Sequence, residues 1–175
     1  ISSGAVVEAT GDIEFNTDVG NLDTGGGDIA INGSVNAISG NLTMTSGPDD
    51  DTISIHGSVT SGSTATISTG AGTDLVNVSS SGSLTGGNVL IDSGDDQNTI
   101  KIDGSVNADA GYLTINSGSE IDEVSIHGSA TSVGTATIST GSGGDTVNIS
   151  SGGSLTAENV LIQSGDDTEI GRAHV

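Results

Sequence analysis

The chain has 175 residues, of which 29 are glycine, with one Pro, one Phe, one Tyr and neither Trp nor Cys. So few large side chains exclude a wide globular interior, the glycines do not follow the every-third spacing of collagen, and the lack of Cys excludes disulfides and thiolate metal sites. With 23 acidic residues against two basic ones, a formal net charge of −21, the surface is expected to repel nucleic acid and anionic membrane and to gather cations.

What remains is a narrow core of Val, Ile, Leu, Ala and Thr, residues that suit closely stacked strands. No stretch is apolar for long enough to cross a bilayer, and no signal peptide is visible. The chain opens on Ile1 and shows no capping pattern at either end. It is therefore expected to be a segment of a longer protein.

In chain order, residues 1–32 are the least regular. Ala5-Val6-Val7, Ile13-Glu14-Phe15 and Leu22-Asp23-Thr24-Gly25 read as degenerate strands, and Ile29-Ala30-Ile31 brings the pattern into register. From there a Gly-Ser step marks each unit at Gly33, Gly57, Gly82, Gly104, Gly128 and Gly153, at intervals of 24, 25, 22, 24 and 25. The first three intervals sum to 71, the offset at which Ile67-Ser-Thr-Gly-Ala-Gly-Thr-Asp-Leu-Val-Asn-Val78 returns as Ile138-Ser-Thr-Gly-Ser-Gly-Gly-Asp-Thr-Val-Asn-Ile149. Periods of this length signal a solenoid.

Aligned on the Gly-Ser step, the units produce apolar columns. Met44, Ile67, Ile91, Ile115, Ile138 and Ile162 make one, and Val35, Val59, Leu84, Val106, Ala130 and Leu155 another. The third pairs Ile53, Val76, Ile100, Val124 and Val147 with the residues two further on, from Ile55 to Ile149. Alternation by twos with polar residues between marks half-buried strands. The sequence thus predicts an all-β fold: a right-handed parallel β-helix of three strands and 22–25 residues per rung, about seven rungs, spanning residues 1–168 as one segment. Residues 169–175 break the repeat. Ile170-Gly-Arg-Ala-His-Val175 resembles the translation of a common sequencing adapter, so this tail is expected to be non-native.

The turns carry the chemistry. Gly70-x-Gly72-x-Asp74 and Gly141-x-Gly143-x-Asp145, each followed by x-Val-x-Val/Ile, resemble the calcium-binding nonapeptide of the repeats-in-toxin family. That resemblance implies that aspartates of stacked turns, here Asp28, Asp51, Asp74, Asp122 and Asp145, hold calcium. Gly47-Pro-Asp-Asp-Asp51, Gly94-Asp-Asp-Gln-Asn98 and Gly118-Ser-Glu-Ile-Asp122 are looser versions of the motif. A plainer reading makes Gly and Asp turn formers only. On either reading Asp28, Asp51, Asp74, Asn98, Asp122 and Asp145 are expected to stack along one edge.

Residues 28–168 as a whole resemble the β-strand-repeat and haemagglutinin-type regions of large bacterial surface or secreted proteins. The resemblance implies a non-catalytic stalk or adhesin segment, extracellular or at the cell surface, with a surface or matrix ligand and open rungs able to associate end to end. Two other readings stand beside it. A polysaccharide-cleaving β-helix needs a cation beside its carboxylates, and outside the suspect tail only Lys101 could serve. An ice-binding face could use Thr43, Thr66, Thr114 and Thr137 with Thr45, Ser68, Asn116 and Ser139, although Leu90, Asp92 and Leu161 interrupt it. His56 and His127, at matching corners three rungs apart, are too distant to share a metal and are expected to be exposed.

Overall fold

The computed structural model describes residues 1–18 and 25–165 and the backbone of Ile170–Gly171. Among these residues every regular element is a strand, and every paired strand is parallel to its neighbour. The strands form three seven-stranded sheets, and adjacent strands in each sheet are three elements apart in sequence. The chain therefore visits the three sheets in turn and repeats, giving a parallel β-solenoid of about six turns with three strands per rung. One rung runs Ser58–Ser61, Thr64–Gly70 and Leu75–Val78.

The first sheet extends from Val6–Ala9 to Ser154–Thr156, and the second from Ile13–Asn16 to Asn159–Gln163. The third runs from Ile29–Ile31 to Ile170–Gly171, which pairs with Val147 and Asn148. Of the degenerate opening, Val6–Ala9 and Ile13–Asn16 are strands as expected. Leu22, Asp23 and Thr24 lie outside the described residues, and Gly25 is a bend. In the tail, only residues 170 and 171 are described.

The apolar columns are continuous ladders. Ile91 pairs in register with Ile67 on one side and Ile115 on the other, and all three are fully buried. Val76, Ile100 and Val124 stack likewise, as do Val59, Leu84 and Val106. Like side chains on successive rungs, ~4.8 Å apart, fill the core, and Phe15, half-buried and in register with Met44, is the one aromatic packed against it among the described residues. Two inward columns were not foreseen: Leu42, Ala65, Val89, Leu113 and Ala136 beside the Ile column, and Ala37, Ser61, Gly86, Ala108 and Ser132 at the corner between the first and second sheets. The second holds only small residues. Ser61 is buried there, with its hydroxyl donating to Gly40 O at 2.9 Å.

The Gly-Ser step is the corner between the third and first sheets. At the Gly57, Gly104 and Gly128 corners two successive N–H groups converge on one carbonyl of the rung below, as His56 and Gly57 do on Ile31 O at 2.8 and 2.9 Å, and His127 and Gly128 both on Ile102 O at 2.9 Å, whereas Gly82 and Gly153 donate within their own turns to Ser79 O and Ser150 O at 2.7 and 2.9 Å. Drawing two amides onto one oxygen brings the backbones so close that a Cβ on Gly57 would overlap Gly33 O, and one on Gly128 would overlap Gly104 O.

Candidate functional site: a buried aspartate column

The corner from the second to the third sheet is a five-residue turn with glycine first and the ladder residue last. Gly47, Gly70, Gly94, Gly118 and Gly141 open these turns, all at positive φ, and Gly165 shares that φ. Glycine is required because the turn lies against its neighbour: a Cβ on Gly94 would overlap Gly70 O. The third position is also left-handed at Gly72, Gly143, Asp96 and Glu120, with φ of 74° and 86° at the last two. These are side-chain-bearing residues in a conformation that favours glycine.

The last residue of the turn points inward. Asp51, Asp74, Asn98, Asp122 and Asp145 are each no more than 2% exposed. They are linked rung to rung through the backbone: Asp51 N–H donates to Asp74 Oδ1 at 2.8 Å, Asp74 N–H to Asn98 Oδ1 at 3.0 Å, Asn98 N–H to Asp122 Oδ1 at 2.8 Å and Asp122 N–H to Asp145 Oδ1 at 3.0 Å. Gly27 N–H continues the chain to Asp51 Oδ1. Each side-chain oxygen thus satisfies an amide that would otherwise be orphaned where the strand begins.

Asp28 does not belong to this column. Ile29 pairs with Ile53, so the residue opposite Asp51 is Gly27, and Asp28 falls one place out of phase. It is exposed, and its Oδ1 accepts from Thr52 N–H at 2.9 Å on the outer face. Because successive strand residues point to opposite faces, a one-residue offset moves the whole side chain across the wall. The expected stack of six is therefore a column of five with Gly27 at its foot.

A second inward column escaped the sequence reading. Ser46, Thr69, Ser93, Ser117, Thr140 and Ser164 are buried immediately before the turn glycines. Ser46 and Thr69 donate their hydroxyls to Thr69 O and Ser93 O, at 3.3 and 3.2 Å. The signal was parity: Leu42, Met44 and Ser46 are two apart, and the strand keeps its phase to the turn.

Inside the turn the column meets carbonyls. Asn98 Nδ2 donates to Gly94 O, Asp95 O and Ser117 O at 3.2 Å each, and to Asp96 O at 2.9 Å. Where the other rungs carry Asp, the second oxygen is orphaned: Oδ2 of Asp51, Asp74, Asp122 and Asp145 is buried with no hydrogen-bond partner. Burial of the charged form pushes Asp122 up to about 6 and raises Asp74. Asp145 and Asp95 add to the shift at Asp122, and Asp51 and Asp50 at Asp74, by like-charge repulsion. Backbone N–H donation to each carboxyl works the other way. So do the Ser117 and Thr69 hydroxyls beside them, although neither Oδ2 has a partner in hydrogen-bonding geometry.

Outside the column the corner is acidic. Asp96, Glu120, Thr73, Gln97 and Ile121 line a shallow cavity of about 230 Å³. Asp50 accepts from Thr73 N–H at 2.8 Å and Asp96 from Gly72 N–H at 3.3 Å. Among the described residues no three His, Cys, Asp or Glu side chains converge on one point that could hold a metal. A cation at this corner would bind one inner carboxylate oxygen together with turn carbonyls, a hard-oxygen set that suits calcium chemically.

The remaining candidates lie elsewhere. His56, Ser79, Asp103 and His127 share the Gly-Ser corner, His56 is exposed, and His127 Nδ1 lies 3.0 Å from Asp103 Oδ1. The two side chains are 43% and 34% exposed, an arrangement of little energetic weight. Thr43, Thr66, Leu90, Thr114, Thr137 and Leu161 form one outward column, apolar at the two positions noted from sequence.

The fold defines the chain as a repeat protein of the parallel β-solenoid class. No protein-family model matches it, and it is not significantly similar to any curated protein or solved structure.

Proposed function

We propose that this chain is a non-catalytic rod, a stalk or adhesin repeat segment of a large extracellular bacterial protein, stiffened by calcium at the aspartate corner. The supporting observation is that three ladders run in register from the first rung to the last. Each rung offers the next the same hydrogen-bonding edge, so length can grow by repetition without new design. An acidic, polar exterior keeps such a β-rich rod apart from its copies. The partners that fit are a cell-surface or matrix ligand and, at exposed rungs, another copy of the rod.

Lys101 is the only Lys or Arg among the described residues, and its strand neighbours are Asn77 and Ser125. A site that cleaves acidic polysaccharide would need a cation among carboxylates, and this placement does not favour one. Small-angle scattering on one, two and three fused copies tests the rod: maximum dimension should grow by a constant increment per copy. Compact or bead-like dimensions would overturn it, and release of reducing ends from acidic polysaccharide would overturn the non-catalytic part.

A further inference from the structure

Asn98 breaks the run of aspartates, and its surroundings say what it replaces. Its Nδ2 lies among four carbonyl oxygens: those of Gly94, Asp95 and Asp96 in its own turn, and that of Ser117 in the next rung. The amide cannot be turned round, because Oδ1 already accepts from Asp74 N–H. A side-chain amide has two hydrogens, so here they are shared among more acceptors than they can serve singly. Several carbonyl oxygens converging on one centre of positive sign is an arrangement that a hard cation also accepts.

The same backbone turn recurs along the column. Gly70, Gly118 and Gly141 are at positive φ as Gly94 is, and Gly72, Glu120 and Gly143 repeat the left-handed third position of Asp96. The turn that ends at Asp51 differs, since Pro48 follows its glycine and Asp49 at the third position is not left-handed. Asp74, Asp122 and Asp145 therefore close turns of the Asn98 shape. In each, Oδ1 accepts an amide from the rung below, as Asn98 Oδ1 does. Their Oδ2 atoms, which stand in place of Nδ2, are buried with no partner. At Asn98 the positive centre is part of the side chain. At the three aspartates it is missing.

We propose that Asn98 is a built-in substitute for a bound cation: its Nδ2 serves the carbonyls of its rung as a calcium ion serves those at Asp74, Asp122 and Asp145. The rung of Asn98 then closes without an ion and divides the calcium column in two. The inference rests on the calcium reading of this corner and adds which rung does without the ion, and why. Asp and Asn are nearly the same size, so one substitution in either direction should move one ion in or out of the column.

Equilibrium dialysis against calcium at pH 7.5, with thermal melts of the full chain in chelator and in millimolar calcium, tests the proposal. Asn98→Asp should bind one calcium more per chain than wild type and melt lower in chelator, and added calcium should close the gap. Asp122→Asn, which copies the neighbouring rung, should bind one fewer, melt no lower than wild type in chelator and gain less from calcium. Asn77→Asp makes the same change of charge on the outward face and should alter neither the count nor the melts. If wild type takes up calcium but Asn98→Asp takes up no more, or if Asp122→Asn melts below wild type in chelator, the role of Asn98 is overturned and calcium at the aspartates stands. No uptake by any of these chains removes both.

Discussion

Asn98 Oδ1 accepts the Asp74 backbone N–H at 3.0 Å while Asn98 Nδ2 holds the carbonyls of its own turn and Ser117 O. It is the one rung in the buried column where both halves of the side chain are satisfied. Replacing it with Asp keeps the acceptor and removes the donor, and sets a fifth acid in the column, between Asp74 and Asp122. Asn98→Asp should lower stability by roughly 1–3 kcal/mol at pH 7.5, the cost of orphaned buried polar groups. The loss should shrink toward pH 4.5. Chemical denaturation at the two pH values checks both parts.

The core ladder gives a sharper contrast. Ile91 is fully buried between Ile67 and Ile115, whereas Asn77 lies on the outward side of its strand with Lys101 as a neighbour. Ile91→Asp should cost on the order of 4 kcal/mol or more, because the carboxylate has no partner in that column. Asn77→Asp should stay within about 0.5 kcal/mol of wild type. Circular dichroism melts of the two variants make the comparison, and equal effects would mean that the assigned faces are wrong.

These contrasts also show what could be seen in advance. The columns from Met44 to Ile162 and from Val35 to Leu155 were legible because apolar residues recur at every 22–25 positions and strand pairing preserves that spacing. The column from Asp51 to Asp145 was legible as a repeat, but its direction was not, because aspartate before a strand reads as an outward turn former. Parity held the answer: Asp51, Ile53 and Ile55 are two apart and face inward together, as do Asp122, Val124 and Ile126. Asp28 has the opposite parity to Ile29 and Ile31, which is why it stands outside. The carbonyl lining of the turn depends on left-handed backbone at positions such as Asp96 and Glu120, which side-chain identity alone does not announce.

Two glycines three residues apart should behave oppositely. Gly141 has φ of 74°, and a Cβ there would overlap Gly118 O, while a Cβ on Gly144 meets nothing within 4 Å. Gly141→Ala should cost at least roughly 2 kcal/mol, combining left-handed strain with the clash. Gly144→Ala should be neutral or slightly stabilising, since it removes freedom only from the unfolded chain. Urea midpoints of the pair decide it, and a tolerated Gly141→Ala would show that the turn can part from its neighbour.

The last prediction separates ion-specific stabilisation from screening. With a net charge of −21, any salt relieves repulsion between exposed acids, so sodium chloride alone should raise the melting temperature. Calcium bound at the turns would add to this, because one inner oxygen and turn carbonyls form a set of hard ligands that sodium fills poorly. Millimolar calcium at pH 7.5 should therefore stabilise the rod more than sodium chloride at the same ionic strength. Asp74→Ala together with Asp145→Ala should shrink that excess. The sign at lower pH follows from the raised values at Asp74 and at Asp122, about 6. A carboxyl whose folded value lies above its unfolded one contributes stability that is complete below the unfolded value and is lost as the pH rises through the folded one. At Asp122 a proton therefore competes with calcium below about pH 6. The calcium excess should fade between pH 7.5 and 5 as the Asp122 carboxyl takes up its proton. If calcium and sodium stabilise equally at every pH, the acids serve only as a screened surface.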